Sequence, residues 1–379
     1  MQQEFLGRGS SSNIVDVLTT LNAKRILLVT GKDSYSSCGA KAVFSQLLAP
    51  YQVSTFDNFS PNPEFSEALE GTKLCQQINA DVIIAVGGGS AIDIAKSIAA
   101  FTAVPGGELE LATGKSKLES VTLPVIIIPT TAGTGSESTH FAVIYVDGKK
   151  YSLASPFLLP AIAILDPQFT DALPKYITAC TGFDALCQAT ESFWATGATT
   201  ESRNFAKQAI TLLMQNLRKV VNDPDKESRE NLLRAANFAG KAINISKTTA
   251  PHALSYTITS LFGIPHGHAV AMTLGAFFPH HDRANETLLS AGVTDEEFTQ
   301  TRTELLQLLG VDSGNAAKSL WYTLMADCGL NLYLGDHHIA NSPDIKTIIA
   351  GINMERLGNH PVQLNTSELV DLLKSIPTH

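Results

Sequence analysis

From Arg25 to about Asp166, short β-branched runs alternate with amphipathic ones. RILLVT (25–30), VSTFD (53–57), DVIIAVG (81–87), VIIIPTT (125–131) and AIAILD (161–166) predict strands, most of them apolar enough to be buried on both faces. Between them, positions 40–48, 64–78 and 91–101 place apolar residues at helical spacing. Strand and helix in alternation predict a parallel sheet with crossover helices. HFAVIYV (140–146) and KKYSLAS flank Asp147-Gly148, which predicts a hairpin closed by a tight primed turn. After Pro174 the period becomes helical, over 201–221, 228–245, 296–309, 316–328, 342–357 and 367–376, with further helical runs at 181–193 and 251–261. The expected fold is an α/β domain with a parallel sheet over residues 1–174, followed by an all-helical domain over 175–379.

At 379 residues the chain exceeds what one core supports, which agrees with two domains. A hydrophobic fraction of 44% with 17% charged residues is that of a globular enzyme, and a net charge of -9 argues against nucleic acid or an anionic membrane as partner. Small molecules are the expected partners. Five cysteines (Cys38, Cys75, Cys180, Cys187, Cys328) without a CxxC pair fit free thiols in a reducing compartment, so the cytoplasm is expected. MQQEFLGRGSSSN shows no signal pattern, and the longest apolar run, around 121–129, is too short to span a bilayer.

Two loops carry the first chemistry. GGGSAIDIAK (87–96) directly follows a buried strand and opens a helix, so glycines let a pyrophosphate approach backbone amides at the positive end of the helix dipole. Gly87, Gly88, Gly89, Ser90 and Asp93 are the cofactor-binding candidates there; the competing reading is a cap made by Ser90 and Asp93 alone. PTTAGTGSE (129–137) follows the next strand, and Thr130, Thr131, Thr134 and Ser136 offer hydroxyls for phosphate, ribose or nicotinamide, or else satisfy their own turn. Neighbouring strands would bring both loops to the carboxyl edge where open α/β sheets bind ligands.

The second half holds a set of metal donors. Asp184 and Gln188 leave one helical face at i and i+4, His252 lies in an apolar helical run, and His266 follows in a Pro-His-Gly turn able to return a second imidazole to that run. Two imidazoles, a carboxylate and an amide oxygen suit Fe²⁺ or Zn²⁺. The alternative is a helix-capping Asp and a backbone-bonded Gln. His280, His281, His337 and His338 read as loop or surface residues.

GRGS (7–10), Asn62-Pro63, GGGSAIDIAK, PTTAGTGSE, ILDP (164–167), TGFDAL (181–186) and PHG (265–267) together resemble the iron-containing (group III) alcohol dehydrogenases over essentially the whole chain. The resemblance implies a dinucleotide-binding α/β domain, a helical metal-binding domain with dehydroquinate synthase-like architecture, and a cleft between them. It also implies one divalent metal on Asp184, position 188, His252 and His266, NADH or NADPH as hydride carrier, and a homodimer. Two positions depart from the family, which usually has His where this chain has Gln188 and Tyr256. The amide is the weaker donor, so weakened metal binding is expected. Tyr256 and His268 are the proton-relay candidates. Relatives that prefer NAD often carry Asp at the position of Gly31; Gly31 with Lys32 therefore permits NADPH and favours it.

TGFDALCQ (181–188) combined with KTTAPHALSY (247–256) resembles the phosphonoacetaldehyde reductase branch, which implies a small anionic aldehyde. Lys247 supplies a point charge and Thr248 and Thr249 supply hydroxyls for such a substrate, or else a solvated helix end and caps. A dehydrogenase of simple short-chain alcohols, a dehydroquinate synthase-like cyclase or lyase, and a non-catalytic binding or assembly protein are the competing functions.

Overall fold

A computed structural model describes residues 2–337, 339 and 342–377; the reading of His338 lies outside them. The chain forms two units, Met1–Leu173 and Pro174–His379.

The first unit is built on eight strands: β1 (Gln3–Leu6), β2 (Arg25–Thr30), β3 (Gln52–Phe56), β4 (Val82–Gly87), β5 (Val125–Pro129), β6 (Phe141–Val146), β7 (Lys149–Ala154) and β8 (Ile162–Leu165). Six of them make one parallel sheet in the order β1-β8-β5-β4-β2-β3. Successive side chains face opposite sides. Leu27, Val29, Ile83, Ala85 and Ile127 pack on one face against Ile94, Ile98 and Phe101, while Ile26, Leu28, Ile84, Val86 and Ile128 pack on the other against Phe44. Burial on both faces is why these strands read as nearly unbroken apolar runs. β3 goes to one side of β2, and β4, β5 and β8 go to the other, so the chain reverses direction between β2 and β4. Open α/β sheets bind ligands at such switch points.

β6 and β7 form the separate hairpin, with positive φ at both Asp147 (50°) and Gly148 (73°), as a type I′ turn requires. β1 has no counterpart in the sequence reading. QEFL is short and lacks apolar alternation, and it becomes a strand only by pairing residue for residue with β8.

In the second unit, Lys175–Trp194, Thr200–Asn222 and Lys226–Ser246 are long helices, the latter two opened by reciprocal capping of Thr199 with Ser202 and of Asp225 with Ser228. The expected helix over 342–357 is instead two, Ser342–Ala350 and Met354–Gly358. The break has a local cause, because the Asn353 side chain accepts from the Arg356 amide at 3.0 Å and caps the second piece. The Pro-His-Gly turn also differs from expectation, since His266 is the first residue of a helix, His266–Leu274. A Cβ at Gly267 would stand 2.0 Å from the Cys180 carbonyl oxygen. Only glycine lets this helix lie on the Lys175–Trp194 helix, and that approach carries His266 to Asp184. His280 and His281 are not surface residues: both are buried on the Phe277–Arg283 helix, and the His281 and His360 Nε2 atoms meet at 3.0 Å. His337 ends a 3-10 turn, Gly335–His337. Among the described residues no helix is long and apolar enough to cross a membrane.

Candidate functional site

The loops that carry the cofactor-binding candidates leave adjacent strands at one edge of the sheet. Thr30 is level with Val86, and Gly87 is level with Pro129. Gly31 and Lys32, Gly87 to Ser90, and Thr130 to Ser136 therefore emerge side by side. The Gly89–Thr102 helix starts with Gly88 as its N-cap and no side-chain cap. Ser90 Oγ donates to the Pro61 carbonyl at 2.5 Å, so the capping reading of Ser90 with Asp93 does not hold. First-turn amides without a side-chain cap are what an anion at a helix N-terminus uses.

Side chains at these glycines would be crowded, most at Gly87 and Gly89. A Cβ at Gly87 would stand 2.6 Å from Ala91 Cβ, at Gly88 3.2 Å from Thr131 Oγ1, and at Gly89 2.9 Å from Thr134 Cγ2. At Gly31 the notional Cβ meets only the rotatable Ser34 Oγ, at 2.2 Å, and Lys32 is exposed.

Asp93 has a different role from the one the sequence suggested. Its buried carboxylate accepts from Ser136 Oγ (3.3 Å) and the Val143 amide (3.1 Å). One turn on, the fully buried Lys96 ammonium donates to the carbonyls of Ser136 (2.6 Å), Thr139 (2.7 Å) and Phe141 (3.0 Å). The Asp93 and Lys96 pair thus ties the second loop to the helix that follows the first. Burial pushes Asp93 up to about 6 against the Lys96 charge, and pushes Lys96 down to about 8 against that of Asp93.

In the second unit, Asp184, His252 and His266 bring one potential ligand atom each to within 4.8 Å of one another. His252 Nε2 lies 3.5 Å and His266 Nε2 3.9 Å from Asp184 Oδ1. That oxygen is buried with no hydrogen-bond partner, an arrangement that costs energy unless something else satisfies it. A divalent cation fits this donor set. Gln188 is buried one turn after Asp184 and bonds its carboxylate. Burial raises the Asp184 pKa, but the close approach of the His252 ring and the charges of His266 and His252 outweigh it and hold the carboxyl below its ordinary value.

Sequence reasoning missed Glu191. It stands on the same helix, seven residues beyond Asp184, and is fully buried. Glu191 Oε2 accepts from the Thr249 amide (2.7 Å), Thr249 Oγ1 (2.8 Å) and the His252 amide (3.4 Å), and Oε1 is bonded to His252 Nδ1. A carboxylate on Nδ1 fixes the ring and leaves Nε2 facing Asp184, the arrangement that orients metal-binding histidines. Burial disfavours the charged His252 ring, yet Glu191 and Asp184 raise its pKa to about 9. The signal was legible in outline, since Asp184, Gln188 and Glu191 share one helical face.

Tyr256 and His268 part company. The Tyr256 ring stacks on His266 with centroids 5.7 Å apart and planes at 23°, and its hydroxyl bonds Arg356 and Thr248. Burial raises its pKa, while Arg356 lowers it. His268 is buried, with Nδ1 3.1 Å from Tyr176 Oη and Nε2 donating to the Asn331 carbonyl at 2.7 Å. Both His268 ring nitrogens are thus bonded within the second unit, to Tyr176 and to the Asn331 carbonyl.

The substrate cluster is also redistributed. Lys247 Nζ is 2.5 Å from Glu355 Oε1, and both side chains are about half exposed (48% and 56%). A solvated, neutralised ammonium is a poor anion site. Thr249 donates to Glu191 and accepts from Trp194 Nε1 at 3.0 Å, which makes it part of the His252 support.

Residues 2–167 match the family model described as iron-containing alcohol dehydrogenase, and residues 178–376 match that of the Fe-containing alcohol dehydrogenase family, C-terminal. Long-chain-alcohol dehydrogenase 1 of Geobacillus thermodenitrificans is 36% identical over 71% of this chain and 69% of its own length. Phosphonoacetaldehyde reductase of Streptomyces viridochromogenes is 38% identical over 52% of each chain. The crystal structure of sulfoacetaldehyde reductase from Bifidobacterium kashiwanohense in complex with NAD+ superposes with a TM-score of 0.88 at 29% identity, covering 99% of this chain and 96% of that one.

Proposed function

The chain belongs to the iron-containing alcohol dehydrogenase family, whose members use NAD(P) and a divalent metal and act on CH–OH groups, and on that premise we propose that it reduces a small anionic aldehyde. A two-carbon aldehyde carrying phosphonate or sulfonate fits best. The similarity to two reductases named for such aldehydes supports this reading. The observation that carries the chemistry is the buried Asp184 and His252 with the half-buried His266, an unsatisfied carboxylate oxygen among them and a Glu191 carboxylate behind His252.

In this reading Asp184, His252 and His266 hold the metal, with Gln188 as the weaker fourth donor. When bound, the metal supplies Lewis acidity toward the carbonyl and the nicotinamide supplies the hydride. Glu191 keeps the His252 ring in one tautomer, and Asp184 brings the negative charge that offsets a divalent ion. Tyr256, held by His266 on its face and by Arg356 and Thr248 at its hydroxyl, is the group positioned to hold a proton near the reacting oxygen. Gly87 to Ser90 and the Thr130 to Ser136 loop hold the cofactor pyrophosphate and ribose, and Asp93 with Lys96 sets the distance between them.

NADPH is the favoured carrier, because Gly31 presents no carboxylate to repel a 2′-phosphate and Lys32 is an exposed cation beside it. Five free cysteines support a reducing compartment, the cytoplasm. The test is oxidation of NADPH and NADH with phosphonoacetaldehyde, sulfoacetaldehyde and propanal, each with Zn²⁺, Fe²⁺ or chelator. Metal-dependent turnover with higher kcat/KM for the two anions is expected. Equal kcat/KM for propanal refutes the anionic reading, and chelator-resistant turnover refutes the metal assignment.

A further inference from the structure

We propose that Arg356, rather than Lys247, recognises the anionic end of the substrate, an inference that rests on the anionic-aldehyde reading above. The break in the helix pattern at 351–353 creates this position. Capped by Asn353, the short Met354–Gly358 helix is mostly solvent-facing: Met354 is 72% exposed and Glu355 points to Lys247, while Arg356 is only 8% exposed. A guanidinium withdrawn from water is costly to keep unless its surroundings use its charge.

Its surroundings are the candidate site. Arg356 bonds the Tyr256 hydroxyl, Thr248 bonds the same hydroxyl, and the Tyr256 ring lies on His266, whose Nε2 is 3.9 Å from Asp184 Oδ1. The guanidinium is therefore one aromatic side chain away from the group that would polarise a carbonyl. In a two-carbon aldehyde the anion is separated from the carbonyl by a single CH₂, so the cation that reads it has to stand close to that group. Lys247 does not meet this requirement, because its ammonium is about half exposed and turned to Glu355 at the surface, whereas Arg356, which also feels the Glu355 charge, is buried beside Tyr256. A planar guanidinium has five N–H donors, enough to hold a phenol and a tetrahedral oxyanion together, and its fork matches two oxygens of phosphonate or sulfonate.

The test compares the wild-type enzyme with Arg356→Met, Arg356→Lys and Lys247→Met. Steady-state rates are taken on phosphonoacetaldehyde, sulfoacetaldehyde and propanal, and competitive inhibition is measured with unreactive phosphonoacetate. In Arg356→Met the ratio of kcat/KM for either anionic aldehyde over propanal should fall roughly 10- to 150-fold, mostly through KM, and phosphonoacetate inhibition should weaken by a similar factor. Arg356→Lys should recover part of both, and Lys247→Met should leave the ratio within about threefold of wild type. If Arg356→Met lowers all three substrates together and keeps the ratio, Arg356 only positions Tyr256 and the inference is overturned. Should Arg356→Met not fold, full retention of the ratio and of phosphonoacetate inhibition in Arg356→Lys overturns it equally, since a point charge cannot replace a fork. A wild-type enzyme without preference for the anions overturns the parent reading and this one with it. Loss confined to phosphonoacetaldehyde or to sulfoacetaldehyde supports Arg356 and identifies which oxyanion it reads.

Discussion

Replacing Glu191 by Gln changes one atom for a nearly isosteric one, and the consequence can be followed bond by bond. Glu191 Oε2 receives the Thr249 amide at 2.7 Å, the Thr249 hydroxyl at 2.8 Å and the His252 amide at 3.4 Å, while Oε1 meets His252 Nδ1. Glutamine keeps only one acceptor oxygen. If that oxygen takes the place of Oε2, the NH₂ faces His252 Nδ1, the ring proton moves to Nε2, and the nitrogen facing Asp184 is no longer a metal donor. If the oxygen takes the place of Oε1 instead, the NH₂ opposes the buried Thr249 N–H, which costs about 1–3 kcal/mol of stability.

Either outcome weakens metal binding, by the roughly 10- to 100-fold that loss of an outer carboxylate costs, or about 1.4–2.8 kcal/mol. Competition of the metal-free proteins with a chromophoric chelator for Zn²⁺ and Co²⁺ measures this directly, without turnover. Chemical denaturation of the metal-free variant then shows which rotamer is taken, since only the second one lowers stability. Equal metal affinity in wild type and Glu191→Gln refutes the role given to Glu191 and, with it, the orientation of His252.

Gln188→His should tighten Zn²⁺ binding in the same titration, because an imidazole replaces an amide oxygen; equal or weaker affinity removes Gln188 from the donor set. Gly88→Asp should abolish NADPH binding in a nucleotide-fluorescence titration, since its Cβ already meets Thr131 at 3.2 Å and its carboxylate adds several kcal/mol of repulsion against the pyrophosphate. Unchanged affinity there contradicts the placement of the cofactor. The buried His281 and His360 pair should make the metal-free protein acid-sensitive. Burial pushes His281 down to about 3 and His360 well below its ordinary value, so the unfolded chain takes up protons that the folded one refuses. Stability present above about pH 6.5 is then lost as pH falls towards 3, by about 2 kcal/mol per histidine at pH 5. Denaturant midpoints at pH 7.5 and 5 measure the loss, and an equal drop in a His281→Gln/His360→Gln variant counts against it.

What the amino-acid sequence determined is what adjacent residues decide among themselves. β2, β4, β5 and β8 announce themselves as buried β-branched runs, the hairpin is written in Asp147-Gly148, and the glycines of GGGSAIDIAK mark a strand-to-helix turn, because torsional preference and side-chain period are local properties. Asp184 and Gln188 share a helical face for the same reason. The tertiary structure decided the pairings between distant segments. β1 exists only against β8; Glu191 finds Thr249 and His252 far along the chain; Gly267 lets His266 reach Asp184. The same holds for the cations. Lys247 looked like the anion site because it precedes His252 in the chain, but Glu355 neutralises it and Arg356, from the next residue on, reaches Tyr256. A charge acquires its role from whatever the fold places around it, and solvent exposure, unlike helical period, is not carried by neighbours in sequence.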